Sequence, residues 1–307
     1  MGQRASFTRR QLMASLAAGA LGACGRADSS GGGGGIVAPG SLEWAIAGPW
    51  RLNPERDRWR HPLQTLRFWG VAPNMNVLQL LPGLGWYTAI LAPYLARGGG
   101  KLVVAGFDPN SPSLAKRATQ ADFNARFLRD PRRFGEITVT SIDAATLAPA
   151  NSIDLAILDN NVHTLMAEGA AERVFASVFA ALKTNGVFGV EQHRASSTGL
   201  QDPLAASGYV QEAYVKTLAQ EAGFEFIAAS DVNANPHDDR HHPFGVWSLP
   251  PYLRTSPIGQ PDNPRYDTRP YAAIGESDRM TLKFRKPAAA SVEGLKPRLD
   301  TPSWVRG

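Results

Sequence analysis

The sequence predicts an α/β domain with a doubly wound, mainly parallel sheet, and three observations carry that reading. Short apolar runs alternate with longer amphipathic segments from Val77 onward. A glycine turn, Gly83-Leu84-Gly85, joins the first apolar run to the first amphipathic one. Acids recur just past successive apolar runs, at Asp108, Asp143 and Asp159, and the carboxyl ends of the strands are where an open α/β sheet gathers its ligand groups.

Each element has its own signal. Ser41 to Trp69 is rich in Trp and Arg (Trp44, Trp50, Arg51, Trp59, Arg60, Trp69) and reads as a helical N-terminal cover over the sheet. Strand-like runs follow at Val77-Leu81, Leu102-Phe107, Ile137-Thr140, Leu155-Leu158, Val187-Glu191, Phe224-Ala228 and Thr281-Phe284. Helix-like stretches at Tyr87-Ala96, Leu114-Phe127, Ala170-Leu182 and Gln211-Ala222 repeat apolar residues at three-to-four spacing. Gly98-Gly99-Gly100 is the stop signal of the first helix and Asn185-Gly186 that of the third. From Val232 to Arg279 there is no periodicity. A loop of that length inside a compact domain is a functional lid or is disordered, and Trp247, Leu249, Tyr252, Leu253 and Tyr266 give it apolar surface to bury.

The first 23 residues read as a targeting segment rather than a fold element: Thr8-Arg9-Arg10, a small-and-apolar run from Leu12 to Ala23, then Leu21-Gly22-Ala23-Cys24. That run is 12 residues long, against the roughly 20 that a spanning helix requires. The paired arginines resemble a twin-arginine export signal and Leu-Gly-Ala-Cys a lipobox, so lipidation is expected at Cys24, with a tether over residues 24–40 that is rich in Gly and Ser. Cys24 is the only cysteine, which excludes disulfides and cysteine-based metal sites. The expected location is the periplasmic face of the envelope, held to the membrane by the lipid. Formal charge is +5, but three arginines precede Cys24 with no acid, leaving about +2 (29 basic against 27 acidic residues). With no basic block in the body, nucleic acid is not an expected partner.

The chemistry-bearing residues start at Val77-Leu78-Gln79-Leu80-Leu81-Pro82-Gly83-Leu84-Gly85-Trp86-Tyr87. Glycines in such a turn let a ligand lie against backbone, and the following helix offers free N–H groups to an anionic end. A dinucleotide fingerprint needs a third glycine where this chain has Thr88, so NAD chemistry is disfavoured. Each Asp alone also fits a solvated loop or helix cap. His163, four residues past Asp159, and His193, at the end of the fifth run, are the candidate catalytic bases. His237-Asp238-Asp239-Arg240-His241-His242 has metal-ligand types, yet adjacent histidines seldom share an ion and Arg240 opposes a cation; no metal is expected, and the segment reads as a polar lid over the acceptor site.

Taken together, Gly83-x-Gly85-Trp86-Tyr87-Thr88-x-x-Leu91-Ala92-Pro93-Tyr94-Leu95, Phe107-Asp108-Pro109, Leu182-Lys183-x-x-Gly186-Val187-Phe188-Gly189-Val190, Gln192-His193-Arg194-Ala195 and Ile274-Gly275-Glu276-Ser277-Asp278-Arg279-Met280 resemble the predicted class I methyltransferases of bacteria that often bear export signals. Arg58-Trp59-Arg60-His61-Pro62 and the segment from Asn233-Ala234-Asn235-Pro236 to Gly245-Val246-Trp247 fit too, so the resemblance covers nearly all of residues 41 to 287, with 288–307 as a tail. It implies a Rossmann-like seven-stranded sheet whose last strand is antiparallel, and S-adenosylmethionine as cofactor. Gly83 and Gly85 would form the turn under the methionine moiety, Asp108 would hold the ribose hydroxyls, and Asp143 would lie near the adenine amine. Gln79, Asp159 and Trp86 complete the expected cofactor set, Trp86 by offering an aromatic face to the sulfonium. Gln79 stands where the family carries an acid, and Leu81 where its loop opens on glycine. Those two departures favour the alternative of a methyltransferase-like fold that has lost cofactor use and serves as an envelope binding module.

Overall fold

The structure is a computed structural model that describes residues 37–288. The signal segment, Cys24, the tether up to residue 36 and the tail from 289 lie outside the described residues. No helix among the described residues is long and apolar enough to cross a membrane.

Seven strands form one sheet: β1 (Asn76–Leu80), β2 (Lys101–Gly106), β3 (Ile137–Ser141), β4 (Ile153–Asp159), β5 (Leu182–His193), β6 (Glu225–Ser230) and β7 (Arg279–Arg285), in the order β3-β2-β1-β4-β5-β7-β6. β1 to β5 run parallel, and β7 is antiparallel to both β5 and β6. This is a doubly wound, Rossmann-like sheet with an antiparallel last strand, as the resemblance implies. Helices α1 (Leu42–Ile46), α2 (Asp57–Arg60) and α3 (Pro62–Trp69) form the N-terminal cover. They are followed by α4 (Thr88–Gly98), α5 (Leu114–Phe127), α6 (Pro131–Phe134), α7 (Val162–Ala167), α8 (Ala171–Ala181), α9 (Glu212–Glu221) and α10 (Arg269–Ile274).

Strand side chains alternate between faces, so each strand feeds two cores. Leu78, Leu80, Ala156, Leu158, Phe188 and Val190 pack with α8 and α9 on one face. Val77, Leu155 and Ile157 pack with α1, α3, α4 and α5 on the other. The same alternation decides where the polar residues at the strand ends go. Asp159 and Glu191 share the parity of Ile157 and Gly189, so they emerge on the face covered by the N-terminal helices. Gln192, one residue on, emerges beside α7, where its Oε1 accepts the Val162 N–H at 3.0 Å.

One stop signal departs from the sequence reading. The third predicted helix ends at Ala181, before Asn185-Gly186. Those residues lie inside β5, where Asn185 adopts φ 64° and the β4–β5 register shifts. An Asn-Gly pair supplies a left-handed turn wherever the chain needs one, and here a bulged strand needs it. The long segment between β6 and β7 is ordered by carboxylates. Asp238 accepts the Tyr209 hydroxyl, the Arg240 and Asp278 N–H groups and His242 Nε2. Asp278 in turn holds Arg194 through two 3.0 Å hydrogen bonds.

Candidate active site

The sheet reverses its winding between β1 and β4, and a crevice opens there beyond the carboxyl ends of the strands. It holds a cavity of about 830 Å³, lined at its inner end by Leu81, Gly83, Asp159, Asn160, His163 and His193. Because β7 is antiparallel, its first residue reaches this same rim, and the preceding Glu276 and Ser277 line the cavity as well.

A buried ionic cluster forms the wall on the side of α2. Glu276 accepts from Arg56 Nε, from Arg60 Nε at 3.0 Å and from Arg279 Nη1 at 2.6 Å. Glu191, with no exposed surface, accepts the Tyr87 hydroxyl at 2.9 Å and lies 2.9 Å from Arg279 Nε. Burial alone would raise the Glu276 pKa, but the guanidiniums of Arg60, Arg279 and Arg56 hold it well below the usual carboxylate range. Asp159 is less favoured. Its contact with Arg60 is 3.8 Å long and its Oδ1 has no hydrogen-bond partner among the described residues. Burial, reinforced by Glu191 and only partly opposed by Arg60, lifts its pKa from 3.8 to about 7.

The two histidines stand together with ring centroids 5.6 Å apart. Burial lowers the His163 pKa to about 4 against a supporting hydrogen bond from Gln192. His193 is pushed well below its ordinary value by burial, with His163, Arg279 and Arg60 adding to the effect. Both rings are therefore neutral near pH 7. The Gln192 amide fixes one tautomer: with Oε1 taking the Val162 N–H, its Nε2 donates to Gly208 O at 2.9 Å and to His163 Nδ1 at 3.2 Å. That leaves the His163 proton on Nε2, an assignment inferred from the network. His193 Nδ1 lies 2.6 Å from Ser277 Oγ, and the tautomer that donates this hydrogen bond leaves Nε2 as a free acceptor.

The structure brings Gly83, Trp86, Asp159, His163 and His193 to one cavity and places the other candidates around it. At Gly83, with φ 56°, an added Cβ would meet nothing within 4 Å, so the backbone is open to a ligand there. Gly85 answers a different need: a Cβ would fall 2.2 Å from the Phe127 ring, so it lets α5 pack closely. Trp86 lines the cavity, but the guanidiniums of Arg51 and Arg60 already lie 5.1 and 4.9 Å from its ring centroid. Gln79 is fully buried, its Oε1 accepting the Thr88 hydroxyl at 2.7 Å and its Nε2 unpaired. Asp108 is half-buried one residue past the cavity-lining Phe107, and its Oδ1 caps the Asn110 N–H at 2.8 Å. Asp143 is exposed and lies 3.5 Å from Arg173. Neither Asp108 nor Asp143 lines the cavity.

His237 and His242 are absent from the cavity wall, and His241 lines a separate small recess of about 180 Å³. Asp238, Asp239 and His242 come close enough to share an ion, but every oxygen of Asp238 already accepts hydrogen bonds. The part of the loop that reaches the cavity lies further on, at Val246, Trp247, Pro250, Pro251, Tyr252 and Ile258, and it is apolar.

Sequence reasoning did not single out Arg60, Glu191, Glu276 or Ser277 for the site. Glu191-Gln192 at the end of an otherwise apolar strand was the available signal, since an acid there is buried and must find a cation.

The donor set fits a ligand carrying an ammonium or amino group and hydroxyls. Asp159 Oδ1 and Asn160 Oδ1 are buried acceptors without partners among the described residues, and they line the same cavity as the open Gly83 backbone. S-adenosylmethionine has those groups, so the residues present are compatible with it.

No protein-family model and no curated protein matches the chain. Solved structures similar to it include a putative sarcosine dimethylglycine methyltransferase from Galdieria sulphuraria (15% identity, 80% of this chain and 97% of that one, TM-score 0.49). Another is the N-methyltransferase NodS from Bradyrhizobium japonicum in complex with S-adenosyl-L-homocysteine (17% identity, 80% and 97%, TM-score 0.45). A third is an S-adenosylmethionine-dependent methyltransferase from Aquifex aeolicus (14% identity, 64% and 94%, TM-score 0.47). At such identities the likeness says nothing of acceptor or residue roles.

Proposed function

We propose that this cavity carries methyl transfer from S-adenosylmethionine to a small or envelope-associated acceptor bearing an O–H or N–H. One observation supports the reading above the others: the paired rings of His163 and His193, 5.6 Å apart, line one cavity with the Asp159 carboxyl and the open Gly83 backbone at the switch point of the sheet. The cofactor, when bound, supplies an electrophilic methyl group and takes back the sulfur–carbon bonding pair. Gly83, Asp159 and Asn160 would hold its polar groups, with Asp108 as the ribose partner implied by the resemblance. His193, hydrogen-bonded through Nδ1 to Ser277, receives the acceptor's proton at Nε2, worth about 10²- to 10⁴-fold in rate. His163, with its proton on Nε2, donates to the acceptor and orients it. The cluster of Glu276 with Arg56, Arg60 and Arg279 keeps the wall rigid, and positioning is the larger part of the rate.

The reading extends to location: export through the Arg9-Arg10 signal, with lipid at Cys24. Twin-arginine export suits a protein that folds, and loads its ligand, before crossing. A second reading, an envelope binding module, is favoured by one observation: Gln79, at the position where an acid would meet the cofactor, is sealed in the core against Thr88.

Isothermal titration of the chain with S-adenosylmethionine and S-adenosylhomocysteine tests the proposal. Heat is expected with both, and Asp108→Ala should weaken binding about tenfold or more through loss of a charged hydrogen-bond acceptor. Absence of heat with either ligand selects the binding module.

A further inference from the structure

The cavity has an inverted distribution of polarity. Its inner end is charged and most of the exposed side chains along its mouth are apolar, Asn53 and Glu168 being the polar exceptions, whereas a folded chain ordinarily keeps charge toward water. Ten large hydrophobic side chains are exposed among the described residues, and five of them, Leu52, Leu84, Leu204, Tyr252 and Ile258, line this one cavity. Each leaves between 54 and 67% of its surface in water. Isolated exposed hydrophobics are normal, but several gathered around one cavity mark a surface that a ligand covers.

The five come from four separate parts of the chain. Leu52 precedes α2, Leu84 sits in the glycine turn, Leu204 follows β5, and Tyr252 and Ile258 belong to the long segment before β7. Nothing local ties those positions together, so their convergence belongs to the fold. Trp247 extends the apolar surface inward, with its ring edge-on to His163 at 5.8 Å between centroids. The path from rim to interior therefore passes from aliphatic and aromatic side chains to the His163–His193 pair and the unpartnered oxygen of Asp159.

We propose that the acceptor is an amphiphile: a hydroxyl- or amine-bearing head seated at His163 and His193, and an apolar tail lying along Leu204, Trp247, Tyr252 and Ile258. This rests on the methyl-transfer reading for what happens to the head, but recognition of the tail stands on the rim alone. A head of that kind pairs with the Nε2 atoms of His163 and His193, and a tail removes the exposed leucine, isoleucine and tyrosine surface from water. A compact hydrophilic acceptor would leave all five rim residues wet.

The test uses 4-alkylphenols with tails of two to ten carbons as probes, binding being followed by titration calorimetry on the full chain without cofactor. Affinity is expected to rise with each methylene, up to about fourfold per carbon for full burial. The variant Leu204→Ser/Tyr252→Ser/Ile258→Ser alters only exposed side chains. It should bind the two-carbon probe like the parent and lose at least tenfold on the ten-carbon one. Circular dichroism and a melting curve establish that it is folded. Affinity independent of tail length, or an unchanged chain-length series in the variant, overturns the proposal. So does binding to phosphatidylcholine vesicles that the triple variant abolishes while the alkylphenol series stays flat, because the rim would then dock on a bilayer rather than take a tail. None of these outcomes depends on S-adenosylmethionine, so failure here is distinct from failure of the cofactor titration.

Discussion

Replacing Asp159 by Asn converts the most unfavourably placed carboxyl of the site into a neutral group of the same shape, and the effect on stability has a defined dependence on pH. In the folded chain Asp159 titrates near 7, against 3.8 for an unperturbed aspartate. Between those values the folded chain keeps a proton that the unfolded chain has released. Its contribution to stability is therefore fully present below about pH 4 and lost as pH rises through 7. A shift of about three units corresponds to about 4 kcal/mol at most. His163 works in the opposite sense: its pKa falls from 6.5 to about 4, so its contribution is present above pH 6.5 and lost on acidification. Both effects enter the melting curve of the parent, and only a difference against Asp159→Asn isolates the carboxyl. Urea unfolding of both proteins from pH 4.5 to 8 should show the variant gaining on the parent by several kcal/mol as pH rises. In thermal unfolding this is on the order of 10 °C for a domain of this size. A difference that stays constant within about 1 kcal/mol would mean that Asp159 is ionised at its ordinary pKa, and the account of a buried, incompletely paired carboxyl would fall.

Glu276→Gln leaves Arg56, Arg60 and Arg279 facing a neutral amide, and unfolding free energy should drop by about 3–5 kcal/mol in denaturant titration; a loss under 1 kcal/mol would show that the cluster is dispensable. Both glycines have positive φ, so Gly83→Ala should cost about 1–2 kcal/mol of left-handed strain alone, since its Cβ meets nothing, and Gly85→Ala about 1–3 kcal/mol more through collision with Phe127. Equal losses in the two glycine variants would remove the distinction between a packing glycine and an open one. Cys24→Ser should abolish incorporation of labelled fatty acid and release the protein from the membrane fraction; retention of the label would place the lipid elsewhere.

Much of the fold was legible because its signals are local and repeated. All seven apolar runs became strands, and the amphipathic stretch Leu114–Phe127 became a helix over those same residues. Asn185-Gly186 misled because a turn dipeptide reports a left-handed residue without reporting which element it interrupts. The cavity lining was legible at strand ends, as at Asp159 and His193, and in the helix just past one, as at His163. It was not legible where it depends on pairing across the fold. Arg60 and Glu276 are more than 200 positions apart, and no spacing rule connects them. The histidine cluster attracted notice by composition alone, yet its chemistry is spent inside the loop, on Asp238. The aliphatic rim carries no motif at all, being assembled from single residues of unrelated segments.

The antiparallel course of β7 has a further consequence. A parallel last strand would have started at the far edge of the sheet and carried its preceding connection away from the crevice. As it is, the 48 residues between β6 and β7 end on the rim of the crevice and form one wall of the cavity, while the glycine turn lines another part of it. The molecule is thus divisible into a constant half and an exchangeable one. Substitution or transplantation of the segment from 246 to 258 changes what the mouth admits while leaving the strand ends, the histidine pair and the sheet that carries them in place.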